Sequence, residues 1–443
     1  MGIGAGKIFE NHSSDNRLKK LLIISPYFAP VNTADMQRVR MSLPYFYECG
    51  WEPTVVTVNP DDTDLPTDAL LSENIPSDVK IYWVKAFSKK WTSKFGLGSI
   101  ALRSLWFYKQ KVNQLLKAEK FDLIYFSTTQ FPVLILGAYW KKKFKVPYVI
   151  DMQDPWFSTY YQDKPKAERP AKYWFSHHLD KYMEPVALKN ADGLISVSQG
   201  YLDTLNERYP MLKSVPQQVI TFGAYQEDFD LVQKKWRAFE LPFQKDENLI
   251  HLVYIGRGGY DMKDAVTLLF DGFKKGLTYQ YDDFKNLRFH FIGTSYAPAG
   301  TGVKTIQPIA DEMGISEYVE EQTDRIPFYQ GIFLLLNADG LLVIGSNDQQ
   351  YTASKIYPYI LARKPLLAFL HKQSSAAKII QECGAGKTIS INEESATEKV
   401  RIALYSLRST RLSPETNWNK FEKYSARNLT KQQCDLFDKI LNN

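Results

Sequence analysis

A glycine-rich turn with two cations follows the predicted strand 249–255. Gly256 and Gly258 have no side chain, so the backbone there can approach a ligand closely. Arg257 can hold a phosphate through two parallel hydrogen bonds, and Lys263, six residues on, can add a compact positive charge. These residue types at this spacing predict a pyrophosphate site. The alternative, two solvated charges on a surface loop, stays open.

A second candidate phosphate site lies at Ser354 and Lys355, where a polar loop gives way to a helical pattern. The apolar run 341–344 is typical of a strand buried on both faces, and Ile356 and Ile360 recur at helical spacing. A helix that begins just past a parallel strand points free backbone N–H groups toward the crevice above the sheet. Lys355 would add a mobile cation to that crevice.

Both turns can lie at one edge of a sheet only if the strands before them are parallel. Strand-like and helical stretches alternate from residue 19 onward. Strand patterns lie at 21–25, 53–58, 79–84, 123–127, 148–152, 194–198 and 218–222, and again at 249–255, 287–292, 341–344 and 366–369. This rhythm predicts an α/β fold with two Rossmann-like, doubly wound domains. Because ligands bind beyond the carboxyl ends of such strands, we expect the domains to face each other across a cleft.

The predicted domain organisation follows the same rhythm. We expect a disordered segment at 1–17, a first Rossmann-like domain at 18–225, a charged linker at 226–248, a second Rossmann-like domain at 249–415, and one amphipathic helix within 416–443. The length of 443 residues suits two domains, each with its own core.

Composition narrows the class of protein and its partners. The net charge of +6 is mild and does not favour nucleic acid as a partner, while an anionic substrate or membrane surface stays possible. Three widely spaced cysteines fit a reducing compartment, and no apolar run or leader pattern predicts a membrane span or secretion. We therefore expect a cytoplasmic protein.

No pattern in the sequence predicts a metal or cofactor site. The six histidines lack metal-ligand spacing, and no aspartate pair follows a strand. We find no arrangement of serine, histidine and aspartate for nucleophilic catalysis either. Any substrate chemistry is expected to depend on cations and hydrogen bonds.

The order of these motifs resembles the GT-B-fold glycosyltransferases, in particular the retaining glycosyltransferase family 4. The similarity is clearest at Ser354-Lys355, followed by Lys-Pro-Leu-Leu-Ala at 364–368, and at Arg257. It implies that the second domain, including Gly256, Gly258 and these residues, binds a nucleotide-diphosphate sugar. It also implies that the first domain binds the acceptor and that a C-terminal helix crosses back to the first domain. In the family, Arg257 and Lys263 would support the departing diphosphate without a metal.

The resemblance implies further site residues. Asn32 and Thr33 follow the first strand, where the family has a loop that covers donor and acceptor. Asp154 stands in a turn similar to the family's Asp-x-Arg-Asp-x-Trp and is expected to contact the reacting sugar, although an Asx-Pro turn is an equal alternative. Arg325 precedes a helix at the rim where the family contacts the nucleobase.

Two departures from the family leave other functions open. The family's two donor-binding glutamates correspond here to Gln350 and Pro358. Gln350 can still bind sugar hydroxyls, but Pro358 cannot replace a carboxylate on the ribose. The alternatives are therefore a catalytically inactive glycosyltransferase-like scaffold subunit and a nucleotide-sugar epimerase of the same fold.

Two stretches of the first domain, 87–117 and 138–148, interleave lysine and arginine with aromatic residues. This composition suits an anionic bilayer surface, so peripheral membrane contact and a glycan or lipid-linked acceptor are expected. The alternative is a solvated helix face whose aromatic side chains belong to the core.

Overall fold

We analysed a computed structural model of the chain, which describes residues 17–158, 162, 169, 173–345, 354–409 and 414–442. Its strands form two separate sheets, one of seven and one of six strands, and all paired strands within them are parallel. The predicted class of two doubly wound α/β domains is confirmed. None of the helices in these ranges is long and apolar enough to span a bilayer.

The first sheet has the strand order β3-β2-β1-β4-β5-β6-β7. Its strands are β1 (Lys19–Ile24), β2 (Trp51–Val58), β3 (Lys80–Val84), β4 (Leu123–Ser127), β5 (Tyr148–Met152), β6 (Gly193–Ser196) and β7 (Gln217–Val219). The central strands are apolar and fully covered by helices, as parallel sheets require. The strand order reverses between β1 and β4, which opens a crevice at their carboxyl ends.

The second sheet has the order β10-β9-β8-β11-β12-β13 and reverses between β8 and β11. Its strands are β8 (Ile250–Ile255), β9 (Leu287–Ile292), β10 (Val319–Gln322), β11 (Gly340–Ile344), β12 (Leu366–Leu370) and β13 (Lys387–Ser390). The edge strand β10 was missed in the sequence because its two glutamates mask it. Glu321 is buried because its carboxylate accepts the backbone N–H groups of Thr305, Ile306 and Gln307.

Sixteen helices in the described ranges connect and cover the strands. They are α1 (Gln37–Phe46), α2 (Lys89–Thr92), α3 (Ile100–Ala118), α4 (Ile135–Phe144), α5 (Tyr173–Leu188), α6 (Gln199–Arg208), α7 (Gln226–Lys234), α8 (Lys263–Tyr279), α9 (Tyr281–Phe284), α10 (Gln307–Met313), α11 (Phe328–Asn337), α12 (Ile356–Leu361), α13 (Ser375–Cys383), α14 (Ala396–Ser409), α15 (Trp418–Phe421) and α16 (Ala426–Leu441). Helix α7 lies inside the stretch predicted as a linker and packs on α11.

The C-terminal segment contains two helices rather than the single predicted one. Ser425 separates α15 from α16, because its hydroxyl accepts the N–H of Asn428 and so begins a new helix. Helix α16 then packs on α1 of the first domain, where Phe437 contacts Phe46 and Trp51. The end of the chain therefore stabilises the N-terminal sheet.

Candidate active site

A cavity of about 220 Å³ lies between the two domains, beyond the carboxyl ends of β8 and β9. Five of the residues predicted from the sequence line it: Asn32, Gly256, Arg257, Arg325 and Lys355. Asn32 comes from the first domain and the other four from the second. The structure thus brings together residues that lie more than 300 positions apart, in the crevice where doubly wound sheets bind their ligands.

The side chain of Lys355, which follows β11, contacts Tyr254 on β8, across the point where the strand order of the second sheet reverses. Its ammonium lies 3.0 Å from the Tyr254 hydroxyl, to which it donates, and 4.6 Å from the ring centre. The same hydroxyl donates to the carbonyl oxygen of Arg257 at 2.7 Å. Burial raises the pKa of Tyr254, which keeps the hydroxyl neutral as a donor. Tyr254 therefore holds both the Lys355 ammonium and the backbone turn at Arg257 in position.

Gly256 is required by the position of that ammonium. Its φ is +146°, and a Cβ atom built there would lie 2.0 Å from the Lys355 Nζ. Any other residue would displace the lysine as well as strain the backbone. The expectation that this glycine permits close approach thus has a geometric reason, although the group that approaches is the chain's own lysine.

Arg257 is held at the cavity by Asp261, one helical turn further on. The guanidinium donates to both carboxylate oxygens, at 3.1 and 2.6 Å, and this hydrogen bonding raises the pKa of Arg257. Both side chains are partly exposed. A guanidinium in this geometry can exchange a carboxylate for a phosphate, since both ligands accept two parallel hydrogen bonds.

A second cavity of about 270 Å³ adjoins the first, and we call it the apolar chamber. The two cavities share Asn32, Arg325, Phe328, Ile332, Lys355 and Pro358. Thr33 and Ser354 line the chamber, and its apolar walls include the aromatic side chains of Phe222, Tyr225, Phe229 and Phe328. The two cavities together form one continuous cleft of the size that small-molecule ligands use.

Three predicted residues lie away from this cleft. Lys263 is exposed at the first turn of α8, and Gly258 is buried against Thr294 and Thr305. Asp154 lines a separate cavity of about 190 Å³ in the first domain. Burial and the nearby charge of Asp35 raise the pKa of Asp154. Gln350 lies outside the described residues.

Helix α12 is shorter than the predicted helix that was to begin at Ser354 and Lys355. It starts at Ile356 and has six residues. Lys355 occupies the N-cap position without a side-chain capping bond. The positive charge at this edge of the cleft therefore comes from the lysine side chain more than from a helix N-terminus.

The first-domain turn that resembles the family motif is built around a buried ion pair. Asp151 lies 2.7 Å from Arg38 and accepts hydrogen bonds from Ser127 and Gln153. Arg38 also donates to the carbonyl groups of Ile220 and Thr221. These contacts give Asp151 a structural role, because its environment is closed to a ligand.

Tyr254 is the site residue that the sequence analysis missed. A signal was present, since Tyr254 is a polar-tipped residue in a largely apolar buried strand, two positions before Gly256. In the part of the chain that the structure describes, no group of three histidine, cysteine, aspartate or glutamate residues is arranged to hold a metal ion.

Comparison with known families bears on the first domain. The family model of Glycosyltransferase Family 4 matches residues 44–221. The match lies within the first domain. The resemblance seen in the motifs is therefore confirmed. The matched range includes strands β2 to β7, which are six of the seven strands of the first sheet. Among curated proteins, no sequence matches the chain.

Solved structures show that the whole chain has a GT-B fold. The N-terminal domain of a Candida albicans trehalose-6-phosphate phosphatase is similar with a TM-score of 0.61, at 14% identity over 98% of both chains. A UDP-forming trehalose-phosphate synthase from Burkholderia xenovorans gives 0.58, at 12% identity over 96% of this chain and 99% of that one. Anabaena HepE, solved with UDP and glucose, gives 0.55, at 15% identity over 95% and 100%.

Proposed function

We propose that this protein is a glycosyltransferase that moves a sugar from a nucleotide-diphosphate sugar to a glycan or lipid-linked acceptor, in the synthesis of a cell-surface polysaccharide or glycoconjugate. The observation that carries the proposal is the convergence of Arg257, Arg325 and Lys355 on one interdomain cavity. Three cations around a cavity beyond parallel strands are suited to a diphosphate. The family resemblance supports retention of the anomeric configuration.

The three cations define how the leaving group would be stabilised. Lys355 is already oriented by Tyr254, whereas Arg257 is paired with Asp261 and would exchange that carboxylate for the diphosphate. Negative charge builds up on the diphosphate as the glycosidic bond breaks, and cations that are held in place stabilise it without reorganising. No metal is needed in this scheme.

Uracil is the first base to test. HepE was solved with UDP, and the similar synthase is described as UDP-forming. At these identities the likeness concerns the fold, so the choice of base for this chain is a proposal. Arg325, stacked on Tyr296 at 5.3 Å, lies at the rim of the cavity where a base would enter.

Thermal unfolding with UDP, GDP, ADP and dTDP tests the proposal. A nucleotide that binds the native state at 100 times its Kd stabilises it by about 2.7 kcal/mol. We expect one nucleotide to raise the Tm of the wild type but not of Arg257→Ala. Arg427→Ala is the matched control, because Arg427 is also an exposed arginine paired with a carboxylate, that of Glu48, and it lines neither cavity.

The alternatives give different results in the same experiment. An inactive scaffold predicts no shift with any of the four nucleotides. An epimerase predicts a shift, together with conversion of the nucleotide sugar when no acceptor is present. Product analysis after incubation with UDP-glucose alone separates the epimerase from a transferase, which needs the acceptor to turn over.

The structure narrows the proposed membrane contact to one of the two basic stretches. In the first, Trp91 and Phe95 are 69% and 75% exposed, and Lys94 lies over the Trp91 ring at 4.9 Å. In the second, Trp140 and Tyr148 are buried in the core. We therefore propose that the surface of Phe87, Trp91, Phe95 and Trp106 with Lys89, Lys90 and Lys94, here called the aromatic surface, meets an anionic bilayer on the cytoplasmic side.

Vesicle flotation tests the aromatic surface. We expect the wild type to bind vesicles of phosphatidylcholine with phosphatidylglycerol, and less to phosphatidylcholine alone. The double variant Trp91→Ser with Phe95→Ser should lose binding. Tyr279→Ser removes an equally exposed aromatic side chain from the second domain and should bind as the wild type does. Equal binding by both variants would refute the assignment.

A further inference from the structure

A buried polar cluster joins the two domains beside the apolar chamber. Arg40 on α1 donates to both carboxylate oxygens of Asp228 on α7, at 2.7 and 2.6 Å. Tyr329 on α11 donates its hydroxyl hydrogen to the same carboxylate at 2.9 Å. Helix α1 belongs to the first domain, α11 to the second, and α7 to the segment between them. One aspartate therefore ties three elements together.

The hydrogen-bonding groups of this cluster are occupied. The Arg40 Nε donates to Gln37 at 2.8 Å, and Asn74 donates to Asp228 at 3.2 Å. Arg40 has no exposed surface, and the rings of Tyr225 and Phe328 lie 5.4 and 5.3 Å from its guanidinium. Burial and the Asp228 charge raise the pKa of Tyr329, so its hydroxyl stays a neutral donor.

The cluster is continuous with both walls of the cleft. Phe328 and Tyr329 begin α11, directly after Arg325, which lines the first cavity. Gln37 begins α1, a few residues after Asn32 on the opposite wall. Asp228 itself lines the apolar chamber. A change in the angle between the domains must therefore stretch the links between Arg40 and Tyr329, either their direct hydrogen bond of 3.3 Å or the bonds of both residues to Asp228.

We propose that Arg40, Asp228 and Tyr329 form an interdomain latch that sets the arrangement in which Arg325, Lys355 and Asn32 share one cavity. These are positioning residues, and their part in transfer rests on the proposed function. Arg40 and Asp228 make the fixed half of the latch, because a bidentate pair in a buried site holds a single geometry. The other half is the Tyr329 hydroxyl, which ties the second domain to this pair and also accepts a hydrogen bond from Arg40 at 3.3 Å.

Tyr329→Phe removes only the half of the latch that the second domain supplies. It removes one hydroxyl and leaves the Arg40–Asp228 pair and the Asn74 bond in place, so the protein should fold. Tyr148→Phe is the matched control, since that buried hydroxyl donates to Ala187 within the first domain, at 2.6 Å. The first measurement is small-angle X-ray scattering of the nucleotide-free proteins.

We expect Tyr329→Phe to have a larger radius of gyration than the wild type and Tyr148→Phe to match the wild type. UDP should bind Tyr329→Phe about tenfold more weakly, as loss of one hydrogen bond to a charged group implies, and should restore the compact profile. Unchanged scattering and affinity in Tyr329→Phe would overturn the latch.

The scattering result does not depend on donor binding. If the wild type binds none of the nucleotides, the proposed function fails, while the comparison of radii still decides on the latch. Asp228→Asn provides a second variant, because it keeps the shape of the aspartate and removes its charge. Expansion of folded Asp228→Asn supports the latch, and a compact Asp228→Asn beside a compact Tyr329→Phe refutes it.

Discussion

Two arginine–aspartate pairs in this chain have the same fork geometry and opposite environments. Arg257 and Asp261 meet at 2.6 Å at the first cavity, with side chains 39% and 47% exposed. Arg40 and Asp228 meet at the same distance between the domains, with side chains 0% and 3% exposed. The comparison shows that burial, more than pairing geometry, decides what such a pair does.

The physical reason is the cost of separating the charges. At the cavity, water or a phosphate can replace the aspartate, so the pair contributes about 0–1 kcal/mol and can open. Between the domains no such replacement is available, and a separated charge would lie unpaired in a low dielectric. The exposed pair is therefore suited to exchange a ligand, and the buried pair to hold a structure.

Arg40→Met is expected to have the largest effect on stability. It leaves the Asp228 carboxylate buried without its cation, which costs about 3–5 kcal/mol in the free energy of unfolding. Urea denaturation measures this cost. Arg427→Met, which breaks an exposed pair with Glu48, should change the same quantity by about 0.5 kcal/mol or less. Similar losses in the two variants would remove the distinction between buried and exposed pairs.

A buried histidine pair shows that burial also makes the stability of the protein depend on pH. His251 and His290 are joined by a 2.9 Å hydrogen bond, and burial, with the neighbouring His251, lowers the pKa of His290 to about 4. Between pH 6.5 and 4 the unfolded chain takes up a proton that the folded chain does not. Stability should therefore fall as the pH drops through this window, by about 3 kcal/mol in all. Chemical denaturation at several pH values measures the fall.

His290→Gln tests the source of that pH dependence. Glutamine cannot be protonated in this range, so the variant should lose a smaller part of its stability between pH 6.5 and 4 than the wild type does. The absolute stability of the variant does not matter, because the comparison concerns the slope. Parallel curves for the two proteins would assign the pH dependence to other groups.

Gly256→Ala should have an intermediate effect on stability and a clear effect on binding. The backbone φ of +146° disfavours alanine, at a cost of about 1–3 kcal/mol. The new methyl group also occupies the position of the Lys355 ammonium. We therefore expect weaker nucleotide binding by calorimetry. Gly300→Ala is a control with positive φ and no atom near its Cβ, and it should lose stability alone.

Arg257→Ala and Asp261→Ala should change stability least, by less than about 1 kcal/mol each. Their effects on nucleotide affinity should be opposite. Removing Arg257 deletes a cation that contacts the diphosphate, whereas removing Asp261 frees the guanidinium from its competing anion. Calorimetry with UDP should show weaker binding for the first variant and unchanged or tighter binding for the second. Weaker binding in both would mean that Asp261 positions Arg257 for the ligand.

Much of the cleft could be predicted because chain direction constrains a parallel sheet. The turns after β8 and β11 must meet at one edge, so Gly256, Arg257 and Lys355 could be grouped from their places after apolar strands. Lys263 and Gly258 were grouped with them by their spacing and by the family resemblance. The structure places both away from the cleft, because spacing in a turn does not determine which way a side chain points.

The sequence by itself determined the two-domain α/β architecture, since apolar runs of strand length alternate with helical patterns. It also determined which turns border the cleft. Only the tertiary structure decided the roles of the polar groups. Tyr254, Arg40 and Asp228 acquire theirs from partners as much as 188 residues away. The reason is that burial and charge pairing depend on which distant segments meet, and local patterns do not record that.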